Sequence, residues 1–151
     1  MSTTALGTTV VTQIGIIVRD IEAKARAWSQ ILGLPEPTII ITDPVEQART
    51  EHLGQPTPAR AKLAFFNLGQ VSLELIEPIG EPSTWNDHLV AHGESVHHIA
   101  FQIAGMPEKV AYLAGQGAPL IQRGEYTGGR YAYIDTSNPL GVILELLEND
   151  R

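Results

Sequence analysis

The chain carries the same ordered set of segments twice, and that repetition limits what it can fold into more than any other feature. TQIGIIVRDIEAKARAWSQILGLP (12–35) runs alongside HHIAFQIAGMPEKVAYLAGQGAP (97–119), and VSLELIEP (71–78) alongside VILELLEN (142–149). One shared LEL triplet could be coincidence, but a whole ordered set points to an internal duplication. Each copy reads as β-α-β-β-β. In the first, residues 12–18 alternate and are β-branched, as a strand requires. Asp20 then caps a helix whose apolar Ile21, Ala25, Trp28, Ile31 and Leu32 recur at helical spacing, and GLPEP stops it. TIIIT (38–42), KLAFFNL and VSLELIEP supply three further strands, the last two around a turn at Gly69-Gln70. In the second, HHIAFQI (97–103) is a strand and MPEKVAYLAGQG a helix with Pro107 in its first turn. PLIQR, GGRYAYID and GVILELLE are the strands that follow.

Between the copies, STWNDHLVAH (83–92) predicts a short connecting helix. The polar stretch from Asp43 to Ala59, with Pro44, Pro56 and Pro58, predicts a long excursion or mobile loop, a candidate lid. The expected fold is α+β over a single domain, residues 1–151. Module 1 spans about 10–80, a connecting helix about 83–93, and module 2 about 96–149.

Composition narrows the chemistry. The 151 residues include no cysteine, so disulfides, thiolate nucleophiles and thiolate metal sites are excluded, and any metal must be held by nitrogen and oxygen. The formal charge of −7 argues against nucleic acid and anionic membrane as partners. No apolar run approaches the roughly 18 residues of a membrane span. The N-terminal MSTTALGTTVV lacks the basic start of a signal peptide, so a cytoplasmic location is the expectation. No nucleophile-elbow motif supports a hydrolase triad.

The repeat also aligns polar residues. Gln13 and His98 each open the first strand of their copy, and Glu74 and Glu145 each lie between leucines in the last. Glu74 shares its strand face with Ile76, and Glu145 with Ile143 and Leu147. A carboxylate on a half-buried sheet face is costly unless it is paired, protonated or bound to a metal. Two at equivalent positions point to a shared partner. One imidazole, two carboxylates and one amide oxygen make a plausible set for Zn, Ni, Co, Mn or Fe with positions left open.

These paired βαβββ modules, with ligand positions at the start of the first strand and within the last, resemble the vicinal oxygen chelate superfamily. The resemblance covers about Thr12 to Glu148. It implies a curved, mostly antiparallel sheet of eight strands around a metal-centred cleft, and a homodimer. IGIIVRDIE, VSLELIEP, GESVHHIAF and LGVILELLE are most similar to segments of its methylmalonyl-CoA epimerases. Carried over position by position, the metal ligands are Gln13, Glu74, His98 and Glu145. The epimerases usually have His and Gln at the first two positions. The Gln/Glu/His/Glu set instead resembles one branch of glyoxalase I. Ile17 and Pro78 stand where glyoxalase I usually has its glutathione-holding Arg and Asn, so lactoylglutathione is not the expected substrate. Extradiol dioxygenases use two His and one Glu, and binding-only resistance proteins typically lack the metal set.

The resemblance implies a divalent-metal-dependent epimerase or isomerase that abstracts a proton next to a carbonyl and forms an enediolate. Glu74 and Glu145 are the bases, and the substrate is a small 2-oxo or 3-oxo compound or an acyl-CoA. The alternatives are a glyoxalase-type lyase on a non-glutathione substrate and a non-catalytic binding protein of the resistance type. Arg130, Tyr133 and Lys62, the last beside the position of a base in one epimerase, are the candidate substrate contacts. On an alternating strand His97 points away from His98, which gives it a second-layer or interface role. Trp85 and Leu89 read as packing, and His52 as a solvated loop residue.

Overall fold

The computed structural model describes residues 4–151. The first module holds β1 (Val11–Ile17), α1 (Ile21–Leu32), β2 (Ile40–Ile41), α2 (Val45–Ala48), β3 (Glu51–His52), β4 (Gln55–Pro56), β5 (Arg60–Asn67) and β6 (Ser72–Ile79). After the connecting helix α3 (Thr84–His92) come β7 (Ser95–Gln102), α4 (Met106–Gly115), β8 (Leu120–Tyr126), β9 (Gly129–Ile134), α5 (Ser137–Leu140) and β10 (Ile143–Asn149).

All strands join one sheet in the order β2-β5-β6-β1-β7-β10-β9-β8-β3-β4, curled into a half-barrel. Only β1–β6 and β10–β7 run parallel, so the sheet is mostly antiparallel as expected. The two first strands pair at the centre, and their register repeats on exchange of the halves. Gln13 faces Ala100 and Gly15 faces His98, with Ile14 opposite Ile99 between them. The parallel pairs obey the same relation, Gly15 facing Glu74 and Ala100 facing Glu145.

Helices α1 and α4 cover the outer face. Asp20 caps α1 by accepting from the Ala23 N–H, and Gly33, at φ 67°, ends it in the left-handed conformation that glycine adopts without strain. Its inner stripe is Ile21, Ala25 and Trp28, packed on Phe66, Leu73 and Leu75. Ile31 and Leu32, assigned to that stripe by spacing, are exposed in the last turn. Met106 and Leu113 of α4 pack on Ala132, Ile134, Leu144 and Leu146. A third apolar cluster, Ile17, Ala61, Ile76, Trp85, Tyr133 and Ile143, lies beneath α3 and ties the modules together. No helix among the described residues is long and apolar enough to cross a membrane.

Ten strands form where eight were expected. The two extra ones come from the 43–59 segment, which is an ordered arm with a short helix and a two-plus-two hairpin. The hairpin turns at Leu53-Gly54, both at positive φ, and β3 pairs with β8 of the other module through Glu51↔Arg123 and His52↔Gln122. Strands of two residues carry no alternation to read, which is why the sequence suggested a loop. The same pairing buries His52 and sets its Nε2 3.0 Å from Asp87 Oδ2 on α3, so it is not a solvated loop residue.

Candidate metal centre and its cleft

The inner face of the central strands carries the four aligned residues. Gln13 comes from β1, Glu74 from β6, His98 from β7 and Glu145 from β10, all brought together by the register above. His98 Nε2 lies 3.3 Å from Glu74 Oε1, 3.1 Å from Glu145 Oε1 and 3.2 Å from Gln13 Oε1. One donor atom each from Glu74, His98 and Glu145 falls within 4.8 Å of the others, close enough for a single ion. The glutamates and His98 are buried.

Gly15 makes this convergence possible. A Cβ at that position would overlap the His98 ring, so only glycine lets the imidazole lie flat across β1.

Electrostatics ask for a cation here. Burial pushes the Glu74 carboxyl up, and the nearby charge of Glu145 adds to this against the His98 hydrogen bond. Burial alone pushes the His98 imidazole down, yet Glu145 and Glu74 reverse that and carry it up to about 10. A lone proton on His98 thus offsets only one of two buried carboxylate charges. The Gln13 amide sharpens the point. With nitrogen inward it donates to Glu145 Oε1 at 2.9 Å, and reaches Glu74 Oε1 and His98 Nε2, each at 3.2 Å. With oxygen inward it becomes one more electron-rich atom around the same point, an arrangement that a cation satisfies. A set of one nitrogen and three oxygens fits a divalent transition metal.

Behind His98 stands a chain that the sequence did not disclose. The β1–β7 pairing skips a residue between Gly15↔His98 and Ile16↔Val96, which places a β-bulge at His97. The bulge breaks strand alternation, so His97 turns towards His98 instead of away, and the two Nδ1 atoms lie 2.8 Å apart. With Nε2 of His98 facing the carboxylates, its Nδ1–H donates to His97, whose Nε2 lies 3.2 Å from Thr84 Oγ1. Burial, then the charges of His98 and His88, holds the His97 imidazole well below its ordinary range, and it stays neutral as this relay requires. The symmetric position in β1, Thr12, is bulged too and donates to the Ala100 carbonyl.

The centre floors a cleft of about 540 Å³. Its walls include Leu63, Phe65, Trp85, Tyr131 and Tyr133, with Ile40 and Ile41 of β2 and Thr42, and the arm adds Asp43, Ala48 and Thr50. Tyr133, a candidate substrate contact, lines the cleft directly across the strand pair from Glu145. The other two candidates do not line it. Lys62 lies on the outer side with its Nζ 3.1 Å from Glu22 of α1. Arg130 is bound to Glu148 at 2.9 Å and to Asp150. Residue alternation explains both, since on β5 the inward positions are Ala61, Leu63 and Phe65. Tyr131 and Trp85 are cleft residues that sequence reasoning missed or read only as packing. A tyrosine two positions before Tyr133 on one strand was the available signal.

Comparison with known proteins gives a consistent result. Over 138 residues the chain is 31% identical to the uncharacterized protein YqjC of Bacillus subtilis (strain 168), covering 89% of each. Among solved structures it resembles methylmalonyl-CoA epimerase from Mycobacterium tuberculosis, with TM-score 0.67 and 19% identity over 100% of this chain and 93% of that one. It also resembles a Streptomyces coelicolor methylmalonyl-CoA epimerase in complex with 2-nitronate-propionyl-CoA, with TM-score 0.64 and 23% identity over 95% and 99%. A hypothetical protein, BH1468 from Bacillus halodurans C-125, matches with TM-score 0.65 and 23% identity over 93% and 94%. At these identities the structural likenesses speak for the fold. The family model of the Glyoxalase/Bleomycin resistance protein/Dioxygenase superfamily matches residues 12–133, most of both modules, and the chain belongs to that superfamily.

Proposed function

We propose that the protein is a divalent-metal-dependent epimerase or isomerase of the methylmalonyl-CoA epimerase type, moving a proton on and off a carbon next to a carbonyl. The observation that carries this reading is the meeting of Gln13, Glu74, His98 and Glu145 around one point at the floor of a closed-in cleft. These four residues would hold the cation. When bound, it supplies Lewis-acid polarisation of the substrate carbonyl and so acidifies the neighbouring C–H.

The chain's own residues do the rest. Glu74 and Glu145 approach from opposite modules, so one carboxylate can take the proton and either can return it. Return by the opposite glutamate inverts the carbon, and return by the same one allows isomerisation. The apolar walls exclude water and strengthen the electrostatic interactions at the floor. His97 and Thr84 fix the His98 ring from behind. A homodimer in the cytoplasm belongs to the same reading.

Metal content of the purified chain, followed by solvent deuterium exchange into a panel of 2-oxo acids, acyl-CoA thioesters and keto compounds, tests the proposal. Bound divalent metal and exchange at the carbon next to the carbonyl are expected. Glu74→Gln and Glu145→Gln should each lower exchange by about 10²-fold or more. Full exchange in both variants would rule out the two-base scheme. A lyase would consume substrate without leaving deuterium in recovered starting material, and a sequestering protein would do neither.

A further inference from the structure

Resting on the proposed carbonyl chemistry, we infer that the substrate is a compact, uncharged dioxygen compound with an aryl or branched-alkyl body, such as a 2-hydroxy ketone, and not a CoA thioester or other anion. Three features of the cleft lead there.

The first is charge. Among the described residues no lysine or arginine lines the cleft, whereas Asp43 and Glu125 do, in addition to the glutamates of the centre. Nearby basic groups are engaged elsewhere. Arg60 donates to the Thr42 carbonyl at 2.8 Å, Arg123 spans Glu51 and Glu125, and Lys62 and Arg130 are paired as described. A divalent ion among two carboxylates leaves the floor neutral, so an anionic substrate tail meets only acids at the mouth. Phosphate and carboxylate recognition ordinarily relies on arginine or lysine.

The second is the walls. Phe65, Trp85, Tyr126, Tyr131 and Tyr133 line it, alongside Leu63 and the Ile40 and Ile41 of β2. Such a surface gains from an apolar body laid against it.

The third is the polar lining. The Thr84 N–H donates to Gln122 Oε1 at 2.8 Å, which fixes that amide so that its Nε2 donates to the Tyr131 hydroxyl at 3.1 Å. The indole N–H of Trp85 donates to the Tyr133 hydroxyl at 3.0 Å. Each phenol therefore accepts from a buried donor and keeps its own proton to give. Neutral phenolic donors in a cleft lined by no lysine or arginine match a carbonyl or hydroxyl oxygen of an uncharged ligand.

The test uses the full chain loaded with cobalt(II), whose visible bands report ligands arriving at the centre. Three probes are titrated: 2-hydroxyacetophenone, its ring 4-carboxylate, and acetoacetyl-CoA. The neutral ketone is expected to bind at least about tenfold tighter than the carboxylate, with the CoA thioester no tighter than the carboxylate. Asp43→Asn combined with Glu125→Gln should narrow that ratio, and Tyr131→Phe with Tyr133→Phe should weaken the neutral ketone selectively. Equal or tighter binding of the carboxylate or the CoA thioester overturns the inference, as does failure of all three probes to bind. A chain that takes up no cobalt sinks the metal reading separately. Quenching of tryptophan fluorescence, with Trp85 in the cleft wall, then still ranks the probes.

Discussion

At the scale of single residues, the proposed centre depends on groups behind its four converging side chains. His97 is the clearest case, since its Nδ1 meets the His98 Nδ1 that faces away from the carboxylates. His97→Phe removes that acceptor, leaves the ring free to rotate, and should weaken metal affinity by about 10- to 100-fold, measured by competition with a chromophoric chelator. His97→Asn, whose amide oxygen can accept, should recover part of the loss. The four converging positions were legible because duplication lines up Gln13 with His98 and Glu74 with Glu145. A second-layer role for His97 was legible, but not its turn towards His98, because that comes from a bulge, and a bulge is a property of two strands in register rather than of either sequence. Lys62 was placed by resemblance on a strand whose inward positions fall one residue to either side.

At the scale of elements, the two modules bury equivalent residues to the same depth. Leu75 on β6 and Leu146 on β10 occupy matching register positions, opposite Ile16 and Phe101, and both are fully buried on the helix-covered face. Leu75→Ala and Leu146→Ala should therefore cost similar amounts, about 2–5 kcal/mol each, read from urea unfolding monitored by far-UV circular dichroism. A cost confined to one module would show that the cores are not equivalent. Long elements with a clear period, such as α1, β5 and β6, were readable from sequence to within a residue or two. The arm was not, since its strands are too short to show a period and their partner lies in the other module.

At the scale of the whole molecule, the charge stored at the centre links folding to metal and to pH. In metal-free protein the folded His98 imidazole sits at about 10, above its ordinary 6.5. The native state then binds the extra proton between those values, so its contribution is full below pH 6.5 and is lost as pH rises through about 10. A bound divalent ion would take the proton's place. Thermal melts from pH 6.5 to 10 should thus show the chelator-treated protein losing stability steadily, with added zinc protecting most at the alkaline end. At free metal about 100-fold above Kd the protection corresponds to about 2.7 kcal/mol. Glu145→Gln should flatten both responses. A chelator-treated protein whose melting point is unchanged over that range would contradict the charge balance assigned to the centre.

The sheet order has one more consequence, for how copies of the chain can meet. Its outermost strands, β2 and β4, are two residues long, and β4 ends on Pro56, which has no N–H to offer. A ten-stranded sheet would ordinarily expose two rows of unpaired backbone groups ready to recruit a neighbour's strand into aggregates. At the two end strands themselves those rows shrink to stubs. Association between copies through these end strands is disfavoured relative to contacts between side-chain surfaces, which can be made and dissolved without unravelling the fold.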